Sequence, residues 1–215
     1  MRKLYHFSAS PFSRRTRLAL AHKGLEFELH EGRENPAALA DARKLVAVKT
    51  LPVLVDGALA LADSTAITRW LDAAYPYAPR IWPEGDHAFA VLEVTSLVDV
   101  ALTALIDLGV TFFPLHEHGA WNRVKTEAIE RAQRALDGLG LRIAGLDRAT
   151  IAKTGWSAGD MWLVTAVDWL MGLPGRVGTS QNAAQIMAVG GWTVPEPLVR
   201  WAAGNRDRAD VRALA

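Results

Sequence analysis

The chain contains no cysteine among its 215 residues. That excludes disulfides, a thiol nucleophile and thiolate metal sites in one step. It also lacks a strong charge of either sign, with 24 Lys+Arg against 23 Asp+Glu. A basic footprint of the kind that grips nucleic acid is therefore not expected. The start, Met1-Arg2-Lys3, leads into a mixed run and not into the apolar stretch of a signal peptide. Met161 to Leu173 reads as the most apolar helical run, but Thr165 and Asp168 interrupt it. It falls short of the roughly 20 residues a bilayer requires. A cytoplasmic location without a membrane partner is the expectation. His116 and His118 flank Glu117. No third ligand accompanies them, so no metal site is expected.

What is present is a globular composition, half of it hydrophobic and 22% charged, enough for a large core. The charge is unevenly placed. Residues 1–80 carry 12 Lys+Arg against 8 Asp+Glu, and the remainder carries 12 against 15. A basic first part suits a small anionic ligand.

The first 75 residues alternate strand and helix. Strands are expected at Lys3–Ser8 and Glu26–His30, with a helix from Ser13 to Lys23 between them, stopped by Gly24. Asn35-Pro36 opens a second helix to about Leu45. Pro52–Val55 and Ala58–Leu61 flank Asp56-Gly57, a hairpin signal. Ser64–Tyr75 has a helical apolar face of Ile67, Trp70, Leu71 and Ala74. This order predicts a thioredoxin-like α/β domain over residues 1–76. Pro76, Pro79 and Pro83 mark a linker over 77–84. The rest, 85–215, reads as all-helical, with helices at His87–Leu108, Trp121–Ala144, Ser157–Met171, Pro197–Ala203 and Asp207–Ala213.

Three motifs, in order, carry a resemblance. Ser10-Pro11-Phe12-Ser13-Arg14-Arg15-Thr16-Arg17-Leu18 stands at a strand-to-helix turn. Thr50-Leu51-Pro52-Val53-Leu54 precedes the hairpin, and Asp63-Ser64-Thr65-Ala66-Ile67 opens a helix. Together they resemble the glutathione S-transferase superfamily, with a serine-type first motif like that of the tau, zeta and omega classes. The resemblance covers essentially the whole chain and is sharp at these three places. Ser157-Ala158-Gly159-Asp160, a capping-box-like start, resembles the opening of the superfamily's buried helix.

The resemblance implies an enzyme with glutathione as co-substrate. Ser10 would donate a hydrogen bond to the thiolate, aided by the positive end of the helix dipole. Leu51, ahead of a cis Pro52, would pair with the cysteinyl backbone. Ser64 and the helix's N–H groups would hold the γ-glutamyl carboxylate, and Asp63 the ammonium group. Phe12, Phe112 and Phe113 would line the pocket of a small hydrophobic electrophile. A homodimer is also implied. From the residues alone, Ser10, Ser13 and Ser64 read equally as helix caps. Asp63 replaces the usual Glu, and Thr50 stands where the tau-like pattern has lysine, with Lys49 beside it. Arg14 reads as a solvated residue that could help bind the glycyl carboxylate. Tyr5 and His6 read as packed strand residues, and Asp168, in an apolar helix, needs a hydrogen-bond partner. Two other functions stay open: isomerase or dehalogenase chemistry by the same thiolate, and a non-catalytic binding or interaction protein on this fold.

Overall fold

A computed structural model describes residues 1–48, 50–146, 149–208 and 211. The first part contains β1 (Arg2–His6), α1 (Pro11–His22), β2 (Phe27–Glu31), α2 (Pro36–Leu45), β3 (Val53–Asp56), β4 (Leu59–Ala62) and α3 (Ser64–Ala74). The sheet runs β2-β1-β3-β4. β1 and β2 are parallel because a helix carries the chain back between them; β3 and β4 form the antiparallel hairpin. Side chains alternate across the pleat. Leu4, paired with Leu54, joins the cluster containing Leu18, Ile67 and Leu71 of α1 and α3; Tyr5, paired with Val53, joins Ala38 and Ala42 of α2. One strand thus glues helices to both faces. Tyr5 and His6 are buried.

The second part is helical: α4 (Asp86–Ile106), α5 (Trp121–Ile143), α6 (Ala158–Arg176), α7 (Gln181–Val189) and α8 (Glu196–Asn205). α6 is apolar nearly all round and sits at the centre, with Met161, Trp162, Leu163 and Val164 fully buried. Its start is a true capping box: Asp160 accepts from Ser157 N and Ser157 Oγ, and also from Ile151 N, at 2.9, 2.6 and 2.9 Å. Burial pushes the Asp160 carboxyl up to about 6 against these three donors. The stretch before α4 is tied down at both ends. Asp72 accepts from the Ile81 and Trp82 amides, and Trp82 meets Trp162 edge-on at 5.3 Å.

Several elements differ from the sequence expectation. α1 begins at Pro11, two residues earlier than Ser13, because Ser10 already has the extended backbone of an N-cap. α6 continues to Arg176, with Pro174 inside its last turn. α7 was not foreseen; nine residues capped by Ser180 give too few turns for a clear period. α4 does not stop cleanly but widens into a π turn, Asp107–Thr111, followed by a 3-10 turn, Phe113–Leu115. The run Asp86–Thr111 is thus 26 residues long with mean hydropathy 2.0, and it, not Met161–Leu173, is the most apolar long helix by length and composition. Val91, Val94, Val98 and Leu102 bury it in the main core. The expected helix Asp207–Ala213 falls mostly outside the described residues.

Candidate active site

The site starts where β1 hands over to α1. The Ser10 amide donates to Phe7 O at 3.0 Å, and Ser10 O accepts from Arg14 N at 2.9 Å, the first turn of the helix. Pro11 at N1 needs no amide partner. Ser10 Oγ accepts from Ser13 N at a long 3.4 Å, and Ser13 Oγ turns back to accept from Phe7 N at 3.2 Å. Ser13 is buried and committed to the loop. Ser10 is half-buried, and as an acceptor toward Ser13 it keeps its own hydroxyl hydrogen to donate.

That hydrogen has a space to address. A cavity of about 210 Å³ is bounded by Ser10, Phe12, Arg33, Val110, Trp169 and Ile186, so the start of α1 faces the π turn, α6 and α7. Phe12 is where the sequence places it. Phe112 and Phe113 are not. Phe112 lines a different recess, with Val124 of α5, and Phe113 lies stacked on His116 and edge-on to Trp121. The cause is the π turn: an extra residue per turn rotates everything beyond it, so Ile106 and Val110 reach the cavity and the phenylalanines swing to α5.

The Leu51–Pro52 bond is cis. Leu51 enters β3 beside Gly32; a β-carbon there would lie 3.0 Å from the Phe7 ring and 3.1 Å from Leu51 Cδ1. The absence of a side chain at Gly32 therefore lets Leu51 and the cavity-lining Phe7 close around the same point. Thr50 is exposed, and Lys49 lies outside the described residues.

The third motif differs from expectation in one respect. Asp63, not Ser64, caps α3. Its backbone sits at φ 75°, and one carboxylate oxygen accepts from both Thr65 N and Ala66 N at 2.9 Å. Those two amides are therefore taken, and the anion site narrows to the Ser64 hydroxyl and its surroundings. Ser64 is fully buried, and its Oγ accepts from Arg15 Nε at 2.8 Å. Like Ser10, it is left with a hydrogen to donate. The exposed Asp63 carboxylate keeps its second oxygen for a cation.

Arg15 is the residue the sequence reading missed. It is 2% exposed, bonds Asp99 of α4 at 2.5 Å, and stacks on Trp162 at 3.9 Å and Phe12 at 4.7 Å. Burial lowers its pKa, and Asp99 acts against that; an arginine stays charged regardless. A signal was present: Asp99 is an acid in the middle of an otherwise apolar helix and demands a partner. Arg14, read as solvated, is partly buried and pairs with Asp168 Oδ2 at 3.1 Å, while Asp168 Oδ1 receives Arg206 Nε at 2.7 Å. Asp168 thus has the partners its setting requires. Arg15 links the motifs physically: α1, which starts at Ser10, reaches through it to Ser64, and Phe12 stacks on it.

Comparison with known proteins follows the same lines. Residues 4–80 match the glutathione S-transferase N-terminal domain. A probable glutathione S-transferase, GSTU1, from Oryza sativa subsp. japonica is 29% identical over 170 residues, 71% of this chain and 72% of that protein. A maleylpyruvate isomerase from Ralstonia sp is 41% identical over 100 residues, 45% of this chain and 46% of that one. Among solved structures, a glutathione S-transferase from Methylobacterium radiotolerans in complex with glutathione sulfonate superposes with a TM-score of 0.74 at 22% identity, covering 99% of this chain and 93% of that one. By its N-terminal match, its fold and these relatives, the chain belongs to the glutathione S-transferase superfamily.

Proposed function

We propose that the protein binds glutathione in the first part and directs its thiolate, held at Ser10, at a small electrophile seated between Phe12, Val110, Trp169 and Ile186. The observation that carries this is the Ser10 hydroxyl: it caps α1, borders the inter-helix cavity and has its hydrogen free. A thiolate there meets a donor and the positive end of a 12-residue helix together. Ser10 does not ionise; it stabilises charge on another molecule's sulfur. In this reading Leu51 and Pro52 align the cysteinyl part, the Ser64 hydroxyl faces the γ-glutamyl carboxylate, and the Asp63 carboxylate faces the ammonium group. The working division is 1–76 for glutathione and 85–215 for the electrophile wall, in a cytoplasmic homodimer.

The Ralstonia relative, named as a maleylpyruvate isomerase, favours a second outcome of the same thiolate: reversible addition to a conjugated double bond, which rotates and then re-forms. Both readings share the first test. Ultraviolet titration of bound glutathione in wild type and Ser10→Ala reads the thiol pKa directly. A thiol below its free value of about 8.5 that climbs back in the variant is expected. Conjugation should fall by roughly 10²–10³-fold, the loss typical of one donor to developing charge. Unchanged pKa and rate would remove Ser10 from the mechanism.

A further inference from the structure

On the α6 side of the Ser8–Pro11 turn lies a second chamber of about 180 Å³, bordered by Ser10, Arg14, Arg17, Asp168, Trp169 and Arg176. It shares Ser10, Pro11, Trp169 and Arg176 with the apolar cavity. We propose that this chamber receives a carboxylate carried by the electrophile, so that the preferred substrates are electrophilic acids. The inference rests on the reading of Ser10 as the thiolate-facing group.

The charges around the chamber do not balance. Three guanidinium groups border it, and the lining contains one acid, Asp168, already held by Arg14 and Arg206. Arg17 is 8% exposed, and its one hydrogen bond to protein is from Nη2 to Ser8 O at 3.1 Å; its Nε has no partner among the described residues, nor does Arg14 Nε. Arg176 spends its Nε and Nη2 on the carbonyls of Gly172 and Trp169. Glu31 is the other acid near Arg17, but it accepts from the Ser8 and Arg33 amides. Buried cations that meet carbonyls in place of carboxylates carry an uncompensated desolvation cost. An anion from outside removes it, and a planar carboxylate suits the guanidinium fork.

The chamber is also on the wrong side for glutathione's own ends. On α1, positions 14 and 17 share a face, and position 15 points away from both. Arg15 leads to Ser64 and Asp99; Arg14 and Arg17 lead to Asp168 and Ser8. The γ-glutamyl anchor is therefore on one side of the helix start and the arginine chamber on the other, with Ser10 between. A ligand filling both cavities would place its reactive carbon at Ser10, its apolar body against Trp169 and its acid among Arg14, Arg17 and Arg176.

The test uses matched pairs. Calorimetric binding of S-(4-carboxybutyl)glutathione is compared with binding of its primary amide, alongside glutathione itself. Conjugation of 4-chloro-3-nitrobenzoate is compared with that of 4-chloro-3-nitrobenzamide, each relative to its uncatalysed rate. Wild type should favour the acid of each pair by at least about tenfold, the worth of one charge-assisted pair. Arg17→Gln should erase that preference. Arg14→Gln, at a less buried position, should reduce it and serves if the first variant does not fold. Equal binding of acid and amide by wild type overturns the chamber while leaving the glutathione site standing. A preference that survives both substitutions overturns it too. No binding of glutathione or either conjugate brings down the underlying reading, and this inference with it.

Discussion

At the scale of single residues, the site is made of groups with two jobs. Ser10 caps a helix and keeps a hydrogen for a ligand; Ser64 accepts from Arg15 and keeps another. Asp63 is the clearest case, because its two jobs can be separated. One oxygen caps α3, and its φ of 75° is one that side chains rarely adopt. Holding a non-glycine residue there costs on the order of 1 kcal/mol, the kind of strain that clusters at ligand sites. Asn caps a helix as well as Asp does but carries no charge. Asp63→Asn should therefore leave the melting temperature within a few degrees of wild type and weaken glutathione by roughly tenfold or more, the loss of a charge-assisted contact. Melting curves and a glutathione titration on one preparation decide it. Equal affinity would reduce Asp63 to a cap.

At the scale of elements, close approach decides what the cavity contains. A β-carbon on Gly109, in the π turn, would lie 2.3 Å from Ile186 Cγ1 and 2.9 Å from its Cα. Glycine there is what lets α7 close over the cavity. Gly109→Ala should push α7 outward, cost about 1–3 kcal/mol as an overpacking change, and raise KM for the electrophile more than for glutathione. Equal shifts in both constants would count against α7 as a cavity wall. The start of α6 gives a pH test. The Asp160 carboxyl titrates near 6 in the fold against 3.8 as reference. A folded value above the unfolded one means that its contribution is complete below about pH 4 and is lost as pH rises through 6. In urea melts, the stability gap between wild type and Asp160→Asn should therefore widen from pH 7 to pH 4.5; a constant gap would contradict the raised value. These elements also mark what the sequence could tell. Sheet order, the linker prolines and the capping box follow from turn chemistry and period, which are local. The π turn and α7 do not, since each depends on a contact between residues 109 and 186. That is why Phe12 was placed correctly and Phe112 and Phe113 were not.

At the scale of the whole molecule, the question is how the glutathione anchors sense the helical part. Arg15 is the tie. It stands on α1, holds Ser64 of α3, and reaches Asp99 of α4 and Trp162 of α6. No local pattern could reveal it, because its partners lie 49, 84 and 147 positions away. Replacing it by methionine keeps much of the volume and removes every donor. Asp99 is 38% exposed and retains a contact from Trp162 Nε1, so it can turn to water. The larger loss is the cation on the Trp162 face and the donor to buried Ser64. Together these are worth about 2–4 kcal/mol, or roughly 5–15 °C in melting temperature for a chain of this size. A ligand stabilises a fold in proportion to RT ln(1 + [L]/Kd), so the glutathione-induced rise in melting temperature reports the site separately from the fold. In Arg15→Met that rise should shrink as well, because Ser64 is no longer held by a donor and can rotate away from the ligand. If the protein is destabilised yet gains as much from glutathione as wild type, Arg15 is a structural clamp only, and the two parts are joined without being coupled.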